Sequence, residues 1–222
     1  MARRDDGMTR REANAALMAV GAMAAVPLAA LGDEVRELPA ARKDIGVPLM
    51  QALQRRRSTR AYSTRVLPIQ VLSDLLWAAY GINRPSGERT APYWRHIMVI
   101  DVYAIMADGA WLYDPQGHAL ERRVDRDLRG MTGLQDFVAD APLDLVYVAH
   151  GERMLEVSPA DRKLFASVDA AFVGQNVYLY CASEGLASVF RGSVDQARLG
   201  EALVLPESQF VTFAQTVGYP AA

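Results

Sequence analysis

Apolar residues recur every three to four positions at Ile69, Leu72, Leu75, Leu76 and Ala79, which marks one face of a helix between Pro68 and Gly81. A shorter face, Leu49, Met50 and Leu53, follows Pro48, a residue suited to the first helical position, and this helix runs into Arg55-Arg56-Arg57. A long helix opens at Ser158-Pro159, a cap followed by a first-turn proline. From Ser167 to Glu184 it is apolar on nearly every side, which predicts a buried helix, and Gly185 ends it. A last helix is expected from about Asp195 to Leu203.

Between the helices the rhythm changes. Residues 96–106 are β-branched and apolar and predict a strand; Trp111-Leu112-Tyr113 and His118-Ala119-Leu120 flank Asp114-Pro115-Gln116-Gly117 as a hairpin flanks its turn. Residues 125–131 suggest a short polar helix. Leu143 to Ala149 reads as a central strand, Leu186 to Phe190 as a short one, and Phe210 to Val217 as the last, closed by Gly218-Tyr219-Pro220. Strands and helices are mixed around one buried helix, so the expected class is α+β with a mainly antiparallel central sheet flanked by helices.

The first thirty or so residues differ from the rest. Met8-Thr9-Arg10-Arg11 precedes an uncharged, Ala-rich run from Ala15 to Leu31, ended by Asp33 and Glu34. That is the layout of an export signal, and Thr9-Arg10-Arg11 resembles the twin-arginine signature, with Ala13 and Asn14 where that pattern prefers more hydrophobic residues. Ala30-Leu31-Gly32 suits a cleavage site. An uncleaved membrane anchor and an ordinary amphipathic helix are the competing readings, though the run carries Gly21 and Pro27, falls short of a comfortable span and has no polar face. The expected organisation is therefore an export signal over residues 1–32, a polar linker over 33–47, and a folded domain over 48–222. Such a protein is periplasmic or secreted and meets a membrane only during export.

The chain has 222 residues, enough for one sizeable domain. Its formal charge of −2 gives no basic excess that would point to nucleic acid. Removing residues 1–32 takes away four cations and three anions and leaves −3. Cys181 is the single cysteine, so no intrachain disulfide forms, and His96, His118 and His150 show no metal spacing. On the predicted buried helix Cys181 behaves as a small hydrophobe, and Tyr178, Tyr180 and Phe172 as core or subunit contacts. Tyr93 and Trp94 are candidates for lining a pocket.

Local charge is concentrated in Arg55-Arg56-Arg57-Ser58-Thr59-Arg60. Cations suit a helix C-terminus through the macrodipole, which needs no ligand. Arginines interleaved with hydroxyls beyond the helix end are also what a phosphate requires. Composition alone leaves both open. Arg191 stands at the end of an apolar strand, where a charge usually has an anionic or electron-rich partner.

The order of these pieces adds a resemblance. Arg56-Arg57-Ser58-Thr59-Arg60-Ala61-Tyr62 resembles the N-terminal signature of the nitroreductase family of FMN-dependent oxidoreductases. Pro92, Trp94 and His96-Ile97 resemble that family's Pro-Ser…Asn…Gln-Pro-Trp segment; residues 182–192 resemble its helix end and flavin-facing strand; Val217-Gly218-Tyr219-Pro220 resembles its closing motif. The Arg-Thr-Ala-Pro loop and the Tyr-Asp-Pro hairpin are most similar to the branch of thiazole/oxazole-forming peptide oxidases. The resemblance implies a nitroreductase-like fold, FMN at the interface of an intertwined homodimer, and a small-molecule substrate and electron donor. It also implies that Arg56, Arg57, Ser58 and Arg60 hold the ribityl phosphate and ring edge, with Arg191 and Gly192 beside the isoalloxazine. No catalytic acid or nucleophile is required, because the flavin carries the hydride between donor and a nitro, quinone or other acceptor. Two departures stand out. Tyr93-Trp94 follow Pro92 directly, without the family's Ser and Asn, and the chain ends Pro220-Ala221-Ala222 without a closing cation. They keep open an alternative: a nitroreductase-fold binding protein with weak or no FMN and no redox turnover.

Overall fold

All eight residues of Leu143–His150 are buried, and they form the strand around which the sheet is built. This computed structural model describes residues 34–221. Strand periodicity sends Leu143, Leu145, Tyr147 and Ala149 to one face, where they join one hydrophobic cluster. Val146 and Val148 go to the other face and join a second. A strand with apolar residues on both faces needs a cover on each, and the helices supply it.

The strands are β1 (Val35–Glu37), β2 (Ile100–Met106), β3 (Gly109–Asp114), β4 (Ala119–Val124), β5 (Leu143–His150), β6 (Ala187–Arg191) and β7 (Gln209–Gly218). They form a seven-stranded sheet in the order β1-β4-β3-β2-β5-β7-β6. Every pairing within it is antiparallel. The helices are α1 (Leu49–Arg55), α2 (Ile69–Tyr80), α3 (Pro159–Glu184) and α4 (Gln196–Ala202). Leu72, Leu75 and Leu76 of α2 and Ala170, Val173 and Val177 of α3 cover the Leu145 face. Leu199 and Ala202 of α4 cover the Val146 face. The expected α+β architecture with a mainly antiparallel sheet and a long helix is the one observed.

α3 begins as its sequence demands: Ser158 Oγ accepts the Asp161 N–H at 3.2 Å, Pro159 opens the first turn, and Gly185 ends the helix in the left-handed conformation. Its apolar character all round predicted full burial. In the single chain, however, one stripe is buried and another faces out. Ala166, Ala170, Val173, Val177 and Cys181 point inward, while Leu164, Val168 and Phe172 remain exposed. Gly174 lets the helix lie close over β6, since a Cβ there would fall 2.5 Å from the Phe190 ring.

Three local expectations change. The stretch expected to be a linker over 33–47 is tied into the fold from residue 34 on: β1 pairs with β4, and Arg42 holds the buried Asp74 through its backbone N–H (2.8 Å) and guanidinium (2.6 Å). The strand expected from His96 starts at Ile100, after a tight turn in which Arg95 and His96 take φ values of 46° and 59°. The polar helix expected over 125–131 reduces to one 3₁₀ turn, Arg129–Met131. His118, at the end of the hairpin turn, is half-buried between Tyr113 Oη (3.0 Å) and Ser73 Oγ (2.8 Å). The export signal expected over 1–32 lies outside the described residues. Among those described, no helix is long and apolar enough to cross a membrane, and no group of three potential ligands could hold a metal.

Candidate functional site

α1 stops because the chain turns extended at Arg56 (φ −55°, ψ 126°). The segment that follows runs along the open edge of β6, where Thr59 N–H donates to Ser188 O at 2.9 Å. It then meets the end of β7: Ser63 N–H donates to Tyr219 O (2.9 Å), and Tyr62 forms an antiparallel bridge with Pro220. Tyr62 Oη closes the turn by donating to Thr59 O at 2.6 Å. The first motif, the β6 strand and the closing motif, far apart in sequence, are thus hydrogen-bonded into one unit.

The segment's side chains divide between two directions. Arg55, Arg57 and Thr59 line a cavity of about 370 Å³ together with Tyr178, Ser188 and Pro220. Arg56 lies over the Tyr178 ring, 5.2 Å from its centroid, and Ser58 Oγ is 2.8 Å from Tyr178 Oη. Arg60 is exposed. Among the described residues, no carboxylate comes within 4.0 Å of Arg55, Arg56, Arg57 or Arg60. Arg55, which lies outside the family signature, shares the cavity with Arg57. Cationic and hydroxyl groups free of acidic partners beside a cavity fit the phosphate end of a nucleotide-like cofactor.

Arg191 behaves differently from its expected place beside a flavin ring. Its side chain is 4% exposed and is consumed within the fold. Nη2 pairs with Asp144 Oδ1 (2.8 Å), Nη1 donates to Thr132 O (2.8 Å) and Nε to Thr216 Oγ1 (3.1 Å). Strand alternation explains this: Phe190 points toward α3, stacking on Tyr147 at 5.7 Å, so Arg191 must point to the opposite face. Gly133 makes room, because a Cβ there would lie 1.9 Å from Arg191 Nη1. Burial pushes the Asp144 carboxyl up to about 7 against the opposing pull of Arg191, and its Oδ2 has no partner. Gly192, the neighbouring position, is exposed.

The Pro92–Trp94 segment lies elsewhere on α3. Trp94 N–H donates to Asp169 Oδ2 at 2.9 Å, and its ring stacks on Phe165 at 5.6 Å. Burial raises Asp169 to about 6, with the Trp94 N–H pulling the other way. Asp169 and Tyr178 are nine residues apart on α3, which at 1.5 Å per residue separates the two segments by about 14 Å. A single chain therefore does not bring Trp94 to the arginine segment. Cys181 is buried and its thiol is pushed up to about 12 by burial, which leaves it inert as a nucleophile. A second cavity, about 640 Å³, is lined by Val66, Ile69, Met106 and Leu143 with Arg36 and Arg129 at its edge. Those two arginines are already paired with Asp108 and Asp127.

Asp144 is not among the residues singled out from sequence, and Tyr178 is read there only as a core or subunit contact. A carboxylate inside the apolar run of β5 was a signal that a buried cation must exist. Its partner, 47 residues away, carried no local mark.

Solved structures assign this architecture to a class. A protein of Ralstonia eutropha JMP134 named for nitroreductases superposes with a TM-score of 0.81 at 46% identity, over 85% of this chain and 90% of that one. The NADPH:FMN oxidoreductase of Vibrio harveyi, solved with NAD+, shares the fold at a TM-score of 0.57 and 20% identity, over 78% and 68% of the two chains. The chain itself belongs to the nitroreductase family, whose sequence model matches residues 53–219. Among relatives, a protein of Methanocaldococcus jannaschii named for the same activity is 30% identical over 171 residues, 72% of this chain and 86% of its own length.

Proposed function

We propose that the chain is an FMN-dependent oxidoreductase that holds the cofactor along Arg56, Arg57, Ser58 and Arg60. The observation that carries this is the union of the acid-free arginine segment with β6 and the closing motif beside a cavity of about 370 Å³. Bound FMN supplies hydride exchange at N5. The chain's own groups bind and orient: the arginines offer charge-assisted donors to a phosphate, Ser58 and Thr59 add hydroxyls, and Gly192 offers backbone without a side chain in the way. Arg191 contributes through backbone alone, since its side chain braces the sheet from the other face. The electron donor is a reduced nicotinamide or another small donor, and the acceptor a nitro compound, quinone or other small organic molecule. The loop and hairpin further support a place in the branch of peptide oxidases.

The working unit is a homodimer. The exposed stripes Leu49, Met50 and Leu53 on α1 and Leu164, Val168 and Phe172 on α3 give a second copy an apolar face. A second copy is also what would carry a Trp94 segment to the arginine segment. Residues 1–32 serve as the twin-arginine-type export signal, which makes the mature protein periplasmic or secreted.

A second reading has a specific observation in its favour. Arg191 is committed internally, and after the Pro92–Trp94 stretch Arg95 and His96 are both held left-handed. A scaffold with weak or no FMN and no turnover fits those facts. The visible spectrum of the purified protein, with and without added FMN, decides. Flavin uptake with a yellow chromophore is the expected result; a colourless protein that takes up none overturns the oxidoreductase reading. Arg56→Ala with Arg60→Ala should lose the flavin, and retention would show that another surface holds it.

A further inference from the structure

Tyr178 has three contacts that together constrain what Ser58 can do. The Phe190 backbone N–H can only donate, and it donates to Tyr178 Oη at 2.8 Å. The same Oη lies 2.8 Å from Ser58 Oγ. Among the described residues, Ser58 Oγ is the acceptor that the phenol's own proton can reach. The arrangement that keeps this proton within the chain has the phenol donate to Ser58 Oγ. The exposed Ser58 hydroxyl then has its own proton for a group outside the chain. Arg56 rests over the face of the same ring at 5.2 Å, a cation–π arrangement that steadies the guanidinium.

We propose that Tyr178 is a positioning residue that orients Ser58 as a hydrogen-bond donor toward an acceptor oxygen or nitrogen of the ligand. The chain of donors runs from β6 through α3 to the arginine segment. It starts one residue from Arg191 and two from Gly192, and so couples the strand to the segment that holds the ligand. One side chain of α3 thereby orients two groups of the site, Ser58 by hydrogen bonding and Arg56 by its ring.

This inference rests on the FMN reading above, and its test separates the two. FMN dissociation constants are measured by flavin fluorescence quenching for the wild type, Tyr178→Phe, Ser58→Ala, the double variant and Ser58→Thr. Each single loss should weaken binding about tenfold, the size of one hydrogen bond to a charged or buried acceptor. The double variant should be no worse than about tenfold, because both changes break one chain. Ser58→Thr, which keeps the hydroxyl, should stay within about twofold. Tyr178→Phe binding FMN as tightly as the wild type, or a double variant weakened about a hundredfold, overturns the relay while leaving the FMN reading intact. A wild type that takes up no FMN overturns both. Should Tyr178→Phe fail to fold, the exposed Ser58 decides alone: Thr binding as poorly as Ala overturns the proposal.

Discussion

Replacing Arg191 by Met removes the salt-bridge partner of a carboxylate that is fully enclosed. Asp144 has no exposed surface, and one of its oxygens already lacks a partner. Taking one member from a buried ion pair costs about 3–5 kcal/mol when the other stays charged. Asp144 has an escape, because burial holds it at about 7 in the wild type even with Arg191 present, and without Arg191 it rises further. A carboxyl raised in the folded state above its unfolded value of about 3.9 binds more protons folded than unfolded, so stability falls as pH rises from the unfolded toward the folded value. In the wild type that fall ends near pH 7. In Arg191→Met it continues, at about 1.4 kcal/mol per pH unit. The gap between the two should therefore widen by about 2 kcal/mol between pH 7 and 8.5. Urea unfolding at pH 6, 7 and 8.5 measures it. Adding Asp144→Asn should flatten the gap. A gap independent of pH in the single variant, or a destabilisation below about 1 kcal/mol throughout, would show that Arg191 is not the countercharge.

His150 titrates in the opposite sense. Burial works against its proton, but Asp101 and Glu152, each 2.7 Å from a ring nitrogen, prevail and raise it. That stabilisation is complete below the unfolded value of about 6.5 and is lost as pH rises through the raised folded value. His150→Gln should thus lower stability by about 1–3 kcal/mol at pH 5.5 and by less at pH 9, as read by thermal melts; an equal loss at both would refute the charged pair. Gly174→Ala drives a methyl into the Phe190 ring and should cost about 1–3 kcal/mol in urea unfolding, so an unchanged midpoint would mean that α3 sits further from the sheet. Phe172→Glu with Val168→Glu, on the outer stripe of α3, should halve the mass found by sedimentation, whereas an intact dimer would move the interface elsewhere. For export, Lys-Lys in place of Arg10-Arg11 in a reporter fused to residues 1–35 should trap the reporter inside; unchanged secretion rejects the twin-arginine route.

Long periodic stretches were legible. α2 and α3 appear where their caps and prolines put them, and β5 is central because an apolar run with no polar face needs cover on both sides. What escaped has a common cause: its partners are distant in sequence. β1 has three residues, too few for a period, and exists because β4 offers an edge. His96 looks like strand entry, but it and Arg95 are left-handed in the turn before β2. The arginine segment is legible from composition, but the alternation that sends Arg55, Arg57 and Thr59 into the cavity is not. Arg191 was rightly expected to have a partner; strand parity, which makes that partner Asp144, could be counted only once Phe190 was known to face α3.

The edge position of β6 has a consequence beyond any ligand. A terminal strand leaves a row of backbone groups able to recruit another chain. Here Ser188 O is taken by Thr59 and Phe190 N–H by Tyr178. The arginine segment is thus also a guard rail along an otherwise sticky border, studded with like charges that repel a second copy approaching edge-on. Anything that peels it away uncovers that border. Loosening at this one place invites clumping, and a preparation handled in high salt, where arginine repulsion is screened, would show it first.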